Sequence, residues 1–246
     1  APDRIEDREA SGVSGVDLSG NGVVTVPGEL LVVRTGAANR FPSRRRIRNV
    51  YRGASSLVPR VFLLQPTYDS VQSVLDQITA RDGSVSLGTV SKVLKVLEQD
   101  LVIRREGRTS VLLDAEELLD RLARAWEPPR EVDRRRYRWT DDLDELPRLL
   151  AQAAPRIVQT GSASVDRYAV MPREGTVQCY CTELGPIEKA LGSRLERSSG
   201  FPDLELIATD DSTVFFDRRS DGGLPFASPV QTWLELQTGD KRQRDA

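Results

Sequence analysis

Residues 84 to 114, SVSLGTVSKVLKVLEQDLVIRREGRTSVLLD, constrain the fold more than any other stretch. Leu87, Val90, Leu94 and Leu97 recur at steps of three and four, the period of one buried stripe on a helix spanning 86 to 99. Ser86 stands where a serine caps a helix start. LVIRREGRTSVLL then changes period and reads as two strands around a turn at Glu106-Gly107. Two further helical patterns come first. Residues 55 to 65, SSLVPRVFLLQ, carry a serine cap and a proline early enough for a first turn to tolerate. Residues 69 to 79, DSVQSVLDQIT, put Val71, Val74, Leu75 and Ile78 on one face.

Three helices followed by a two-stranded wing is the element order of a winged helix-turn-helix. The outer face of the third helix fits a nucleic-acid reader. It carries Ser86, Thr89, Ser91, Lys92 and Lys95, with no acid before Glu98, whereas an ordinary solvated helix mixes Glu with Lys at this spacing. Small hydroxyls at a helix start reach base edges or phosphates, and lysines anchor the backbone. Gly88 costs about 1 kcal/mol of helix propensity relative to alanine, which points to close approach of something there. Arg104, Arg105 and Arg108 on the wing would lie beside the groove.

Charge along the chain supports the same division. Residues 1 to 29 hold 2 basic and 6 acidic side chains, residues 30 to 139 hold 21 and 13, and residues 140 to 246 hold 12 and 18. A basic middle and an acidic end suit one part facing a polyanion and another facing something else. Between Leu30 and Tyr68 stand eight arginines and no acid. Ordinary surfaces intersperse the two signs, so part of this run, notably Arg44, Arg45, Arg46 and Arg48, is expected to contact phosphate.

Around this centre the chain reads as α+β. Residues 1 to 54 form a β-rich segment, with turns at Gly20-Asn21-Gly22 and Pro27-Gly28, ending in the Arg-rich loop. Residues 55 to 127 are the winged helix-turn-helix, including an amphipathic helix at 113 to 126. Residues 128 to 140 are a basic connector. Residues 141 to 246 are an α/β domain: a helix at 142 to 153, strands at GTVQCYCTE, DLELIATD and DSTVFFDR, and helices at GPIEKALGSRLE and PVQTWLELQ.

Histidine is absent, which removes histidine triads and histidine metal ligands. Cys179 and Cys181, one residue apart, make neither a disulfide framework nor a structural zinc site. Alternating along a strand, they face one side and Tyr180 the other, as buried thiols. No apolar run approaches the ~20 residues needed to cross a bilayer, and the start lacks the order of a secretory signal. A cytoplasmic setting, no cofactor and no membrane partner are therefore expected.

VDLSGN, PGELLVVRTGAANRF, SLGTVSKVLKVLEQDLVIRR and a helix ending in Trp126 resemble the AbiEi-like antitoxins of type IV toxin–antitoxin systems. IVQTGSASVDRYA, VQCYCTE, FFDRR and LPFASPVQTWLELQTGDKR are similar to that family's second half. The resemblance implies a winged-helix transcriptional regulator with a degenerate nucleotidyltransferase-like C-terminal domain, binding double-stranded operator DNA in phage defence. It further implies a β segment left from a nuclease-like α/β domain, a cognate toxin as partner and room for homo-oligomers. Transfer chemistry would need paired carboxylates beside a Gly-Ser turn to hold magnesium. Thr160, Gly161 and Ser162 could imitate the turn, but Asp166 has no second acid at i+2, so no catalytic residue and no metal site are assigned. Two other readings stay open: the DNA-targeting part of a restriction-like nuclease, and a defence adaptor that binds protein rather than DNA.

Overall fold

A computed structural model describes residues 14–16, 22–26, 28–34, 49–170 and 175–237. The chain is mixed α+β with several small sheets, and it forms two compact units, residues 1–48 and 49–246. In the first, β1 (Gly15–Val16), β2 (Gly22–Val26) and β3 (Leu30–Arg34) form an antiparallel meander. The turn into β3 contains Gly28 at φ 77°, a conformation glycine adopts without strain. Val23 is buried, while Val24, Val26 and Leu30 to Val33 are exposed. The turn residues Gly20 and Asn21, and the arginines 40 to 48, lie outside the described residues.

The second unit opens with a 3-10 turn, Gly53–Ser56, leading into α1 (Leu57–Leu64). The helix therefore starts at Leu57, directly after the two serines. Ser55 and Ser56 spend their hydroxyls on the carbonyls of Arg52 and Gly53 rather than capping. β4 (Thr67–Tyr68) follows, then α2 (Val71–Thr79), α3 (Leu87–Gln99), β5 (Ile103–Glu106), β6 (Thr109–Leu112) and α4 (Ala115–Ala125). Ser70 and Ser73 cap α2 reciprocally. β4 pairs antiparallel with β6, completing a three-stranded sheet in the order β4-β6-β5. Val61, Phe62, Val74, Ile78, Val90, Leu94, Leu97 and Leu118 are buried together in this helical part.

A five-stranded mixed sheet forms the remainder: β7 (Glu131–Trp139), β8 (Ile157–Gln159), β9 (Val177–Cys181), β10 (Leu195–Arg197) and β11 (Leu204–Thr209), in the order β10-β7-β11-β9-β8. This corrects the connector expected at 128 to 140. Most of it is β7, hydrogen-bonded to β10 on one side and β11 on the other. Charge hides this strand in the sequence: its inward-facing positions include Asp133 and Arg135 and become apolar only at Tyr137 and Trp139.

α5 (Leu146–Ala153) and α7 (Gly185–Leu191) cover one face of the sheet, with Leu146, Leu150, Ile187 and Leu191 packed on Tyr137, Cys179, Cys181, Leu204 and Leu206. α5 begins at Leu146 rather than at 142, since Pro147 suits a first turn and Glu145 N–H already turns back to the Asp142 carbonyl. On the other face Val158, Tyr180 and Ile207 meet Val214 and Phe215. The two cysteines and Tyr180 thus point to opposite faces, as the alternation required. Ser212–Phe215, expected as a strand, is a 3-10 turn capped by Asp211, whose Oδ1 accepts from Thr213 N–H at 2.9 Å. A short apolar run cannot by itself tell a buried strand from a buried turn. α6 (Ser162–Val165) and α8 (Pro229–Leu236) complete the unit; Ser228 caps α8.

The helical part and the sheet are one compact unit rather than two domains joined by a connector. Arg60 Nη1 on α1 donates to Gln231 Oε1 on α8 at 2.9 Å. Asp217 N–H donates to the Arg81 carbonyl at 3.0 Å, and Arg218 pairs with Asp82 at 3.0 Å. Gly83, between α2 and α3, is glycine for space: a Cβ there would stand 2.5 Å from Ile78 Cγ2 and 2.8 Å from the Ile78 carbonyl oxygen. Among the described residues no helix is long and apolar enough to cross a membrane.

Candidate nucleic-acid interface

α3 is built as an amphipathic helix with a firm start. Ser86 has extended backbone, and its Oγ accepts from Thr89 N–H at 3.1 Å. The Ser86 and Thr89 hydroxyls share a further hydrogen bond at 3.0 Å. Both hydroxyls expected to read bases are thus also engaged in the cap. Whichever hydroxyl donates in the shared bond, the other keeps its own O–H free to donate to a ligand.

Val90, Val93, Leu94 and Leu97 form the buried stripe. Leu87, expected to join it, is 45% exposed, and Val93 takes the inward place instead. Helical side chains lean toward the N-terminus, so a first-turn leucine overhangs the end of its own helix. The solvent face then reads Ser86, Leu87, Gly88, Lys92, Lys95 and Gln99, with Ser91 half-buried at its edge. Neither Lys92 nor Lys95 has an ion-pair partner among the described residues. Among the described residues a Cβ added at Gly88 would meet only Ser86 Oγ, at 3.8 Å, so none of them requires glycine there.

At its other end α3 is anchored. Asp100 accepts from Tyr51 Oη at 2.6 Å and pairs with Arg121 of α4 at 3.2 Å. Burial, and then the hydrogen bond to Asp100, push the Tyr51 hydroxyl well above its usual pKa. Leu101 closes the helix at φ 58°, and Val102 N–H reaches back to the Leu97 carbonyl at 2.9 Å.

The β5–β6 hairpin separates the three arginines expected to act together. Gly107, at φ 63°, makes the tip. Arg108 beside it is exposed and has no ion-pair partner among the described residues. Arg104 is exposed and pairs with Glu106 at 2.7 Å, a link weak enough to exchange for phosphate. Arg105 shares the inner side of β5 with buried Ile103 and lies back toward Glu98 of α3, at 3.9 Å. Arg44, Arg45, Arg46 and Arg48 lie outside the described residues.

Three arginines of the basic run on β7 are committed internally, while Arg138 is exposed. Arg134 binds Glu131 and Glu205, Arg136 binds Glu205 at 2.8 Å, and Arg135 binds Asp133 and Glu188. Burial acts to raise the Glu205 carboxyl, but hydrogen bonds from Arg136 and Gln178 and the nearby Arg134 outweigh it, leaving the group below its usual range.

The Thr160-Gly161-Ser162 turn sits between β8 and α6. Glu235 of α8 closes on it, accepting from Thr160 Oγ1 and, at 2.6 Å, from Gly161 N–H. β9 offers Gln178 and Tyr180 to the cleft beside the turn. Asp166 is exposed beside Arg167, Asp210 pairs with Arg130 at 3.8 Å, and Asp217 with Arg81 at 3.3 Å. Among the described residues no three His, Cys, Asp or Glu side chains converge in a way that could hold a metal ion.

Leu87 is the interface candidate that the sequence pattern concealed, because its spacing matches the buried stripe. No protein-family model, curated protein or solved structure matches the chain.

Proposed function

We propose that the chain is a sequence-specific DNA-binding protein, a transcriptional regulator that reads its operator through α3. The carrying observation is the solvent face of α3: two lysines without acid partners among the described residues, beside an exposed glycine whose added Cβ would meet only Ser86 Oγ among those residues. The order α1, β4, α2, α3, β5, β6, with β4 paired to β6, supports a winged helix-turn-helix reading of this part. In that reading α3 enters the major groove. Lys92 and Lys95 hold phosphates, Leu87 offers apolar contact to a thymine methyl, and Arg104 and Arg108 follow the backbone.

The sheet half then serves as a non-catalytic body of nucleotidyltransferase-like plan. What supports this is Glu235 bound to the Gly161 turn and the uncharged Gln178 and Tyr180 on β9, where metal chemistry would need carboxylates. Its acidic surplus suits neutralisation of a partner or assembly, as in the antitoxin half of a type IV pair. The test is fluorescence anisotropy with DNA from upstream of the chain's own gene, challenged by unrelated duplex. Binding that survives a large excess of unrelated duplex supports the reading. Equal competition by both duplexes, or no binding, contradicts it.

A further inference from the structure

Arg60 is a buried cation with no ion-pair partner among the described residues. It is 4% exposed, on the inner side of α1, and its only hydrogen bond among the described residues is the one from Nη1 to Gln231 Oε1. Its Nε is fully enclosed and donates to nothing among the described residues. The nearest acids are already engaged. Asp211 Oδ1 accepts from Thr213 N–H at 2.9 Å and from Thr213 Oγ1 at 2.7 Å. Glu235 binds the Gly161 turn and accepts at 2.6 Å from Nε2 of Gln231, the residue whose Oε1 accepts from Arg60. Burial lowers the Arg60 guanidinium to about 10, with Asp211 and Glu235 opposing from a distance, so it stays charged at neutral pH. Buried polar groups in folded proteins are almost always hydrogen-bonded, and an exception calls for a ligand, a water or a functional role.

Arg60 lines a cavity of about 310 Å³, walled by α1, the 126–130 segment, the Asp211 turn and α8. This volume is at the lower end for small-molecule sites and far too small for a polymer. Two more arginines stand in its lining, each tied among the described residues by an exposed ion pair: Arg52 to Glu127, and Arg130 to Asp210 at 3.8 Å. Such pairs hold weakly and can release their cations to a better anion. Trp126 adds an aromatic wall, and Ser56 and Thr213 add hydroxyl-bearing residues. Glu127 and Asp211 also line the cavity, which disfavours a bulky polyanion and favours a compact one.

We infer that this cavity is a binding site for a small phosphorylated molecule, its phosphate held by buried Arg60 and by Arg52 and Arg130 at the mouth. Arginine's planar fork suits two oxygens of one phosphate, and the buried setting strengthens each contact. The site stands apart from the α3 face and does not depend on its reading as a DNA reader.

Calorimetric titration of the full chain with pyrophosphate at constant ionic strength tests it. One saturable site per chain is expected, weakened at least tenfold in Arg60→Met. The Arg52→Ala/Arg130→Ala protein should lose several-fold in affinity with an unchanged melting curve; it carries the test if Arg60→Met fails to fold. Lys92→Ala/Lys95→Ala should bind as the unaltered chain does. An unrelated DNA duplex should not displace the ligand, which separates free phosphate from backbone phosphate. Absence of saturable binding, or binding unaffected by the arginine changes, would mean a solvent-filled polar cavity and overturn the inference. So would binding lost with the α3 lysines, or displacement by duplex.

Discussion

Gly88→Ala separates the two ways of accounting for a glycine in the first turn of α3. Gly88 is exposed, and the added Cβ would have a single neighbour, Ser86 Oγ at 3.8 Å, which is ordinary contact. Within the folded chain the change is therefore free of clash. Alanine restricts the unfolded chain and favours helix by about 0.5 to 1 kcal/mol over glycine. For a chain of this size that raises the melting temperature by roughly 1 to 4 °C. If a base edge or phosphate packs on Gly88, the same methyl intrudes on a close contact. Overpacking costs about 1 to 3 kcal/mol, or roughly a 5- to 150-fold loss of DNA affinity. The two effects have opposite signs and are read separately, by thermal denaturation of the free protein and by anisotropy with the operator. A protein that melts higher and binds DNA as before would show that Gly88 has no part in close approach. A protein that melts lower would refute the reasoning at the level of the helix itself.

Three other outcomes follow from the fold. Leu101 is exposed and holds a left-handed conformation that glycine adopts freely, so Leu101→Gly should stabilise the chain by about 1 kcal/mol; a lower melting temperature would contradict this. Glu205 has a folded-state pKa below its unfolded value, so its contribution is present above about pH 4.3 and is lost as pH falls through the depressed value. Glu205→Gln should therefore flatten the acid limb of the stability profile, and an identical acid limb would refute the pairing with Arg136 and Arg134. A fragment of residues 141 to 246 lacks β7, the strand between β10 and β11, and should give no cooperative unfolding transition, whereas one starting before Glu131 should retain it.

How much of this was legible in the sequence follows from where the chain obeys a single period. α2, α3 and α4 were readable because apolar residues recur at three and four and Ser70, Ser86 and Asp114 cap them. The β5–β6 hairpin was readable from Gly107. β4 was not: two residues after Pro66 carry no period, and only pairing with β6 makes them a strand. β7 was misread because arginines on an interior strand look like a solvated run until their partners, Glu188 and Glu205, are brought in from more than fifty residues away. The same applies to the site. Lys92, Lys95 and Arg108 stand exposed, as their positions implied. Arg105 turns inward because its strand alternates, Leu87 turns outward because it overhangs its helix, and Arg60 needs the fold to become a buried charge.

The salt dependence of operator binding tests the central claim most directly. Each phosphate contact contributes about 0.9 to the slope of log affinity against log salt concentration on duplex DNA. Lys92 and Lys95 carry no ion pair among the described residues, so replacing both with alanine removes two cations without disturbing a partner. The account predicts a slope shallower by roughly 1.8 in Lys92→Ala/Lys95→Ala, with weaker binding and an unchanged melting curve. An unchanged slope and affinity in a folded double variant would contradict it and remove α3 from the DNA interface.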